Sequence, residues 1–111
     1  MGAEMSVSEL VDQILAQAAA VGGETWVKIR KSAPLYVKGY VQSLVDISDG
    51  VANDEMTKKD GKMYAQNARL LLDMGIANTS HIILIQVQKF MDGVIAALKA
   101  TINGALRVPI L

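Results

Sequence analysis

The chain contains no cysteine, an absence that excludes disulfide bonds, thiolate metal sites and a cysteine nucleophile. Aromatic residues make up only 5% of its 111 residues, so any core must be built from Ala, Val, Ile, Leu and Met. Small aliphatic side chains of this kind suit close helix–helix packing better than a β-sandwich. The 11 basic and 11 acidic residues cancel, which makes broad electrostatic attraction to nucleic acid or to an anionic membrane weak.

The sequence also shows no basic-then-apolar signal peptide and no long apolar run. Its longest run without a formal charge, residues 74–88, has 15 residues and includes several polar ones. A membrane-spanning helix needs about 20 apolar residues, so a cytoplasmic protein is the expected class. The first six residues fit the loose pattern for N-myristoylation, which leaves open whether Gly2 is lipidated.

Apolar residues make up 51% of the chain and recur mainly at steps of three and four, which is typical of helices. This pattern predicts one all-α domain over residues 1–111. We expect a small bundle of three to four helices with a long, mostly buried C-terminal helix, in an oligomer. The first helix is predicted over residues 7–21, because Ser6 and Glu9 form a capping box and Gly22 and Gly23 can end a helix.

The second part of the chain leaves two alternatives open. Residues 24–31 fit a helix, through the spacing of Trp26 and Ile29, and equally fit a short strand. We favour the helix, because a lone strand would have no partner. Pro34 should kink or restart this helix, and Ser32 could cap the restart.

Breakers at Gly50 and Asn53 predict a loop over residues 48–54. Asn53 or Asp54 is then expected to cap a third helix, which ends near Gly75 and Asn78. The side chains that this pattern marks as its buried face are Met63, Asn67, Leu70, Leu71, Met74 and Ala77. A fourth helix is expected to begin with Thr79 or Ser80 as its cap and to run to about Leu106.

No catalytic pattern is present: the chain has no Walker loop, hydrolase elbow, dinucleotide fingerprint or zinc motif. The single histidine, His81, is followed by apolar residues rather than by the Lys and Gly of phosphotransfer domains, so we interpret it as a polar residue near a helix start. We predict no enzyme, no cofactor and no metal site. Two basic clusters would form a nucleic-acid-binding patch only if they shared one face; they are Lys28, Arg30, Lys31 and Lys38, and Lys58, Lys59 and Lys62.

The C-terminal segment carries the strongest functional signal. Between His81 and Leu111 only four residues bear a formal charge, and the apolar positions cover more of the helix than one bundle readily buries. Small residues also recur every fourth position, as Gly93, Ala97 and Thr101 and as Ala96, Ala100 and Gly104, which allows close helix approach.

We therefore predict a self-associating structural or adaptor protein whose interface lies on this helix. The predicted interface residues are Val87, Phe90, Met91, Val94, Ile95, Leu98 and Ile102. A membrane-active or lipid-binding protein that uses the same helix is the first alternative. A nucleic-acid-binding regulator is the second, and a protein partner other than a second copy stays open.

Overall fold

The computed structural model describes residues 5–111, so Gly2, whose lipidation the sequence leaves open, lies outside the described residues. These residues form helices and no strand, and helix accounts for 81% of the structure. Five helices follow one another along the chain, where three to four were predicted. They are α1 Val7–Val21, α2 Gly23–Ile29, α3 Ala33–Ala52, α4 Lys58–Ser80 and α5 Leu84–Ala105.

The first helix confirms its prediction at both ends. The Ser6 hydroxyl accepts a hydrogen bond from the Glu9 backbone N–H at 3.1 Å and donates one to the Glu9 carboxylate at 3.2 Å. Gly22 and Gly23 have φ angles of +61° and +81°, a region that glycine enters without a steric penalty. The chain can therefore turn sharply from α1 into α2.

The ambiguous stretch after this turn is helical through Ile29, so the preferred alternative is confirmed. Pro34 lies in the first turn of α3, where its missing N–H has no partner to lose, and it therefore starts a separate helix rather than kinking one. The Ser32 side chain does not cap α3. Its hydroxyl instead bonds to the Ile29 carbonyl at 3.2 Å and to the Ser80 hydroxyl at 2.7 Å, which ties this junction to the end of α4.

The predicted loop over residues 48–54 is wrong, because α3 continues to Ala52. Ser48 and Gly50 are buried in that last turn, and tertiary packing of this kind overrides the weak helix propensity of glycine. The cap of α4 is Thr57 rather than Asn53 or Asp54. Its hydroxyl accepts from the Asp60 backbone N–H at 3.1 Å.

The boundary between α4 and α5 also differs from the prediction. The α4 helix passes Gly75 and Asn78 and ends at Ser80, and His81 adopts a left-handed conformation with φ of +56° as its C-cap. His81 therefore ends α4 and lies three residues before α5 begins. Neither Thr79 nor Ser80 caps α5, which begins after Ile83 without a side-chain cap. Its end at Ala105 agrees with the predicted end near Leu106.

The core lies where α1 packs against α3 and α5, while α3 packs along α4 and α4 along α5. Leu10, Ile14, Leu44 and Ile102 are among the side chains that this packing removes completely from solvent. After α5 the chain folds back across the bundle. Its tail is held at Val108, whose backbone N–H donates to the buried Ser48 hydroxyl at 2.7 Å.

Candidate functional site

The predicted interface on α5 is largely interior in the single chain. Five of its seven side chains are buried against the other helices: Val87, Met91, Val94, Ile95 and Ile102. Phe90 and Leu98 are half-buried and pack on the edge of the same core. Side chains that α1, α2 and α4 already cover have little surface left for a contact between folded copies.

The small residues of α5 occupy its other side. Both rows of small residues are exposed: Gly93, Ala97 and Thr101 form one, and Ala96, Ala100 and Gly104 form the other. A methyl group added at Gly93 or Gly104 would contact no other atom within 4 Å. The exposed side of α5 is therefore smooth and offers little apolar area, and α5 is less buried than its composition predicts.

Large exposed apolar side chains are instead concentrated on α4. Met63, Tyr64, Leu70, Leu71 and Met74 keep between 43% and 67% of their surface exposed. With Asn67 they occupy an arc of roughly 120° at 100° per residue, and we call this set of six residues the α4 outer face. An arc of that width is typical of a helix side that packs against a core.

The α4 outer face corrects the prediction for this helix, since five of the six residues expected to be buried are exposed. The core of the single chain contacts the opposite side of α4, through Ala65, Leu72, Ile76 and Ala77. Only Ala77 belongs to the predicted set. The α4 helix therefore has two apolar sides. The intramolecular fold buries the side that begins with the small residue Ala65, and the side that begins with Met63 and Tyr64 stays exposed.

No formal charge interrupts the α4 outer face. Between Met63 and Ser80 the only charged residues are Arg69 and Asp73, and both point toward α5. The Arg69 Nε donates to both Asp73 carboxylate oxygens at 3.1 Å, and its Nη2 donates to the Asp92 carboxylate at 2.7 Å and to the Gln88 carbonyl at 3.2 Å. Burial raises the pKa of Asp73 above its ordinary value, against the opposing effect of Arg69.

An open groove of about 690 Å³ runs beside this face, between α3 and α4. Leu35, which is 71% exposed, contributes to one wall, and Tyr64 and Leu71 to the other. Next to this groove, α3 and α4 are close-packed at Gly75, where a Cβ would overlap the ring of Tyr36. The Tyr36 hydroxyl is held there by a 2.7 Å hydrogen bond to Thr79. The apolar surface of the α4 outer face thus continues into a groove lined by α3 residues.

The other predicted sites do not come together. The first basic cluster ends at Lys38 in α3 and the second begins after α3, so about 20 Å of helix lies between Lys38 and the end of α3. Lys28 is also engaged by Glu24 at 3.1 Å. Within residues 5–111 no group of three or more His, Cys, Asp or Glu side chains is placed to hold a metal ion.

The chain was compared with protein families, curated proteins and solved structures. No protein-family model, curated protein or solved structure matches the chain. In the described part of the chain, no helix combines the length and the apolar character that crossing a membrane requires. Among the helices, α4 exposes the most large apolar side chains, and these five belong to the α4 outer face.

Proposed function

We propose that this protein is a non-enzymatic, self-associating helical protein, a structural or adaptor subunit whose copies pair through the α4 outer face. The proposal rests on one observation: an uncharged apolar arc of core-like width faces solvent on α4. Exposed apolar patches of this kind mark protein interaction surfaces, and Met and Tyr are enriched where proteins meet. The predicted self-association is retained, while its location moves from α5 to α4.

A second copy is the occupant that the residues favour. Met63, Asn67, Leu70 and Met74 follow steps of four, three and four, the spacing at which two helices interlock along a seam. A two-fold axis beside Asn67 would bring the two Asn67 amides together, and each amide can both donate and accept. A polar residue at such a position selects one register at some cost in stability.

Charge does not oppose this pairing, because the net charge of the chain is zero and the α4 outer face carries none. The area that the α4 outer face can bury limits the affinity of the dimer. Standard interfaces bury about 800 Å² per partner, whereas the seam from Met63 to Met74 is only about 17 Å long. We therefore expect a small interface and a dissociation constant on the order of micromolar.

The test is light scattering after size exclusion, with the wild-type chain loaded at a series of concentrations. We expect the mass to rise from monomer to dimer with concentration. Leu71→Asp should hold the chain at monomer mass, because it places a charge within the apolar arc. Val27→Asp is the matched control, since Val27 is 61% exposed and lies on α2, away from this face; it should dimerise like wild type.

Three results would contradict the proposal. A wild-type chain that stays monomeric at millimolar concentration removes self-association altogether. A dimer that survives Leu71→Asp but dissociates on Ala97→Arg would move the interface to the exposed side of α5. Monomers that co-sediment with neutral phosphatidylcholine vesicles, and that lose this binding in Leu71→Asp, would favour a lipid-binding protein instead.

A further inference from the structure

A second groove, of about 410 Å³, lies on the other side of α4, between α4, α5 and the end of the chain. Its walls combine two kinds of residue. Ala65, Ile95 and Ile110 supply apolar surface, and Lys62, Arg69 and Lys99 supply cationic groups. A volume of this size falls in the range of small-molecule sites, which are mostly apolar with a few converging polar groups.

Cationic side chains outnumber carboxylate side chains around this groove. Asp92 is its one carboxylate-bearing side chain, and it is already bound by Arg69 at 2.7 Å. Lys62 and Lys99 form no ion pair with any of residues 5–111. Two ammonium groups at the edge of one apolar groove, without anionic partners, suit a ligand that supplies the missing negative charge.

Tyr40 adds a donor at the base of the groove. The residue is only 3% exposed, yet its hydroxyl makes no hydrogen bond to another described residue. No fully buried side-chain oxygen or nitrogen in residues 5–111 lacks a partner, so this hydroxyl keeps a small solvent-accessible area beside the grooves that Tyr40 lines. Burial raises the pKa of Tyr40 to about 12, so the hydroxyl keeps its proton at neutral pH and can donate.

We propose that this α4–α5 groove binds a small amphiphile with one anionic head group and a short apolar chain, of the medium-chain carboxylate class. The head group accepts hydrogen bonds from the Tyr40 hydroxyl and pairs with Lys62 and Lys99. The apolar chain lies along Ala65, Ile95 and Ile110. The modest volume of the groove selects a short chain over a long one.

This site is independent of the proposed dimer. Lys62, Lys99 and Ile110 line only this second groove and do not belong to the α4 outer face, so the groove exists in monomer and dimer alike. The binding experiment is therefore performed on the Leu71→Asp variant as well as on wild type. Equal ligand affinity in the two chains would show that binding does not depend on dimerisation. Failure of the dimer proposal would then leave the ligand proposal standing.

The probe is octanoate, titrated below its micelle concentration into the isotope-labelled full chain and followed by amide NMR shifts. We expect saturable shifts around Lys62, Arg69 and Lys99. Octanol, which has the same chain without the charge, should bind at least tenfold more weakly, and acetate should not bind. Tyr40→Phe removes only the hydroxyl and should weaken octanoate binding about tenfold.

Matched controls separate recognition from general effects. Tyr64→Phe and Lys38→Ala change exposed residues outside the groove and should leave octanoate affinity unchanged, whereas Lys62→Ala combined with Lys99→Ala should abolish saturation. A spectrum that retains its dispersion shows that each variant is folded. Equal affinity for octanol and octanoate would overturn the proposal. So would wild-type octanoate affinity in both the Tyr40→Phe variant and the double lysine variant.

Discussion

Helices α4 and α5 have nearly the same length and opposite distributions of apolar side chains. By sequence α5 is the more apolar, yet it turns its large side chains inward and shows solvent mainly small residues. The α4 helix is the more polar and nevertheless exposes five large apolar side chains. In a small bundle, the exposure of a side chain depends on whether another helix packs against that side of its own helix. It does not follow from the total apolarity of the helix.

The largest expected effect is a difference between α4 and α5 in how much an alanine substitution lowers the free energy of unfolding of the monomer. Ile102→Ala on α5 removes a completely buried side chain and should lower the free energy of unfolding by about 4 kcal/mol, through lost burial and a residual cavity. Leu71→Ala on α4 should change it by less than about 0.5 kcal/mol. Urea unfolding at submicromolar concentration measures both. Similar losses at the two sites would mean that α4 and α5 are equally buried.

A smaller effect compares one glycine from each helix. In Gly75→Ala on α4 the new methyl group meets the ring of Tyr36, which Thr79 holds in place, and we expect a loss of about 1 kcal/mol. Gly93→Ala on α5 points into open space and should stabilise the fold by about 0.5–1 kcal/mol through helix propensity. Thermal unfolding of the two variants should therefore shift in opposite directions. A gain at Gly75 would show that the α3–α4 contact is looser than described.

The smallest effect concerns Asp73, which pairs with Arg69 within α4, while Arg69 also binds Asp92 on α5. Because the folded-state pKa of Asp73 lies above its ordinary value of 3.8, the native chain holds this proton more tightly than the unfolded chain. Its contribution to stability is therefore fully present below pH 3.8 and decreases as the pH rises through the folded-state pKa. The stability of wild type minus that of Asp73→Asn should fall as the pH rises above 3.8 in urea unfolding. A difference that rises with pH would contradict the direction of the shift.

Local signals predicted the helices well. The Ser6 cap and the two glycines after Val21 located α1 correctly, because capping and left-handed turns depend on neighbouring residues. The same reasoning failed at Gly50, where burial outweighed the local preference for a break. It failed again at Thr79 and Ser80, because the serine hydroxyl bonds to Ser32, 48 residues away in sequence.

The side each helix turns inward was harder to predict than the helix itself. Met63, Asn67, Leu70 and Met74 have the spacing of a buried side, and the pattern alone does not say whether the same chain or another covers it. Likewise Val87 and Ile102 looked available for a partner until α1 was placed against them. The groove at Tyr40 had no sequence signal, since its residues come from α3, α4, α5 and the tail.

The packing of α1 against α5 has a consequence for synthesis on the ribosome. Leu10 and Ile14 emerge early, and α3, which covers part of α1, is complete at Ala52, whereas α5 is complete only at Ala105. A nascent chain can therefore pair α1 with α3 early, but it leaves the α5-facing side of α1 open until α5 has been translated. Shielding of that side by a chaperone would matter only during this interval.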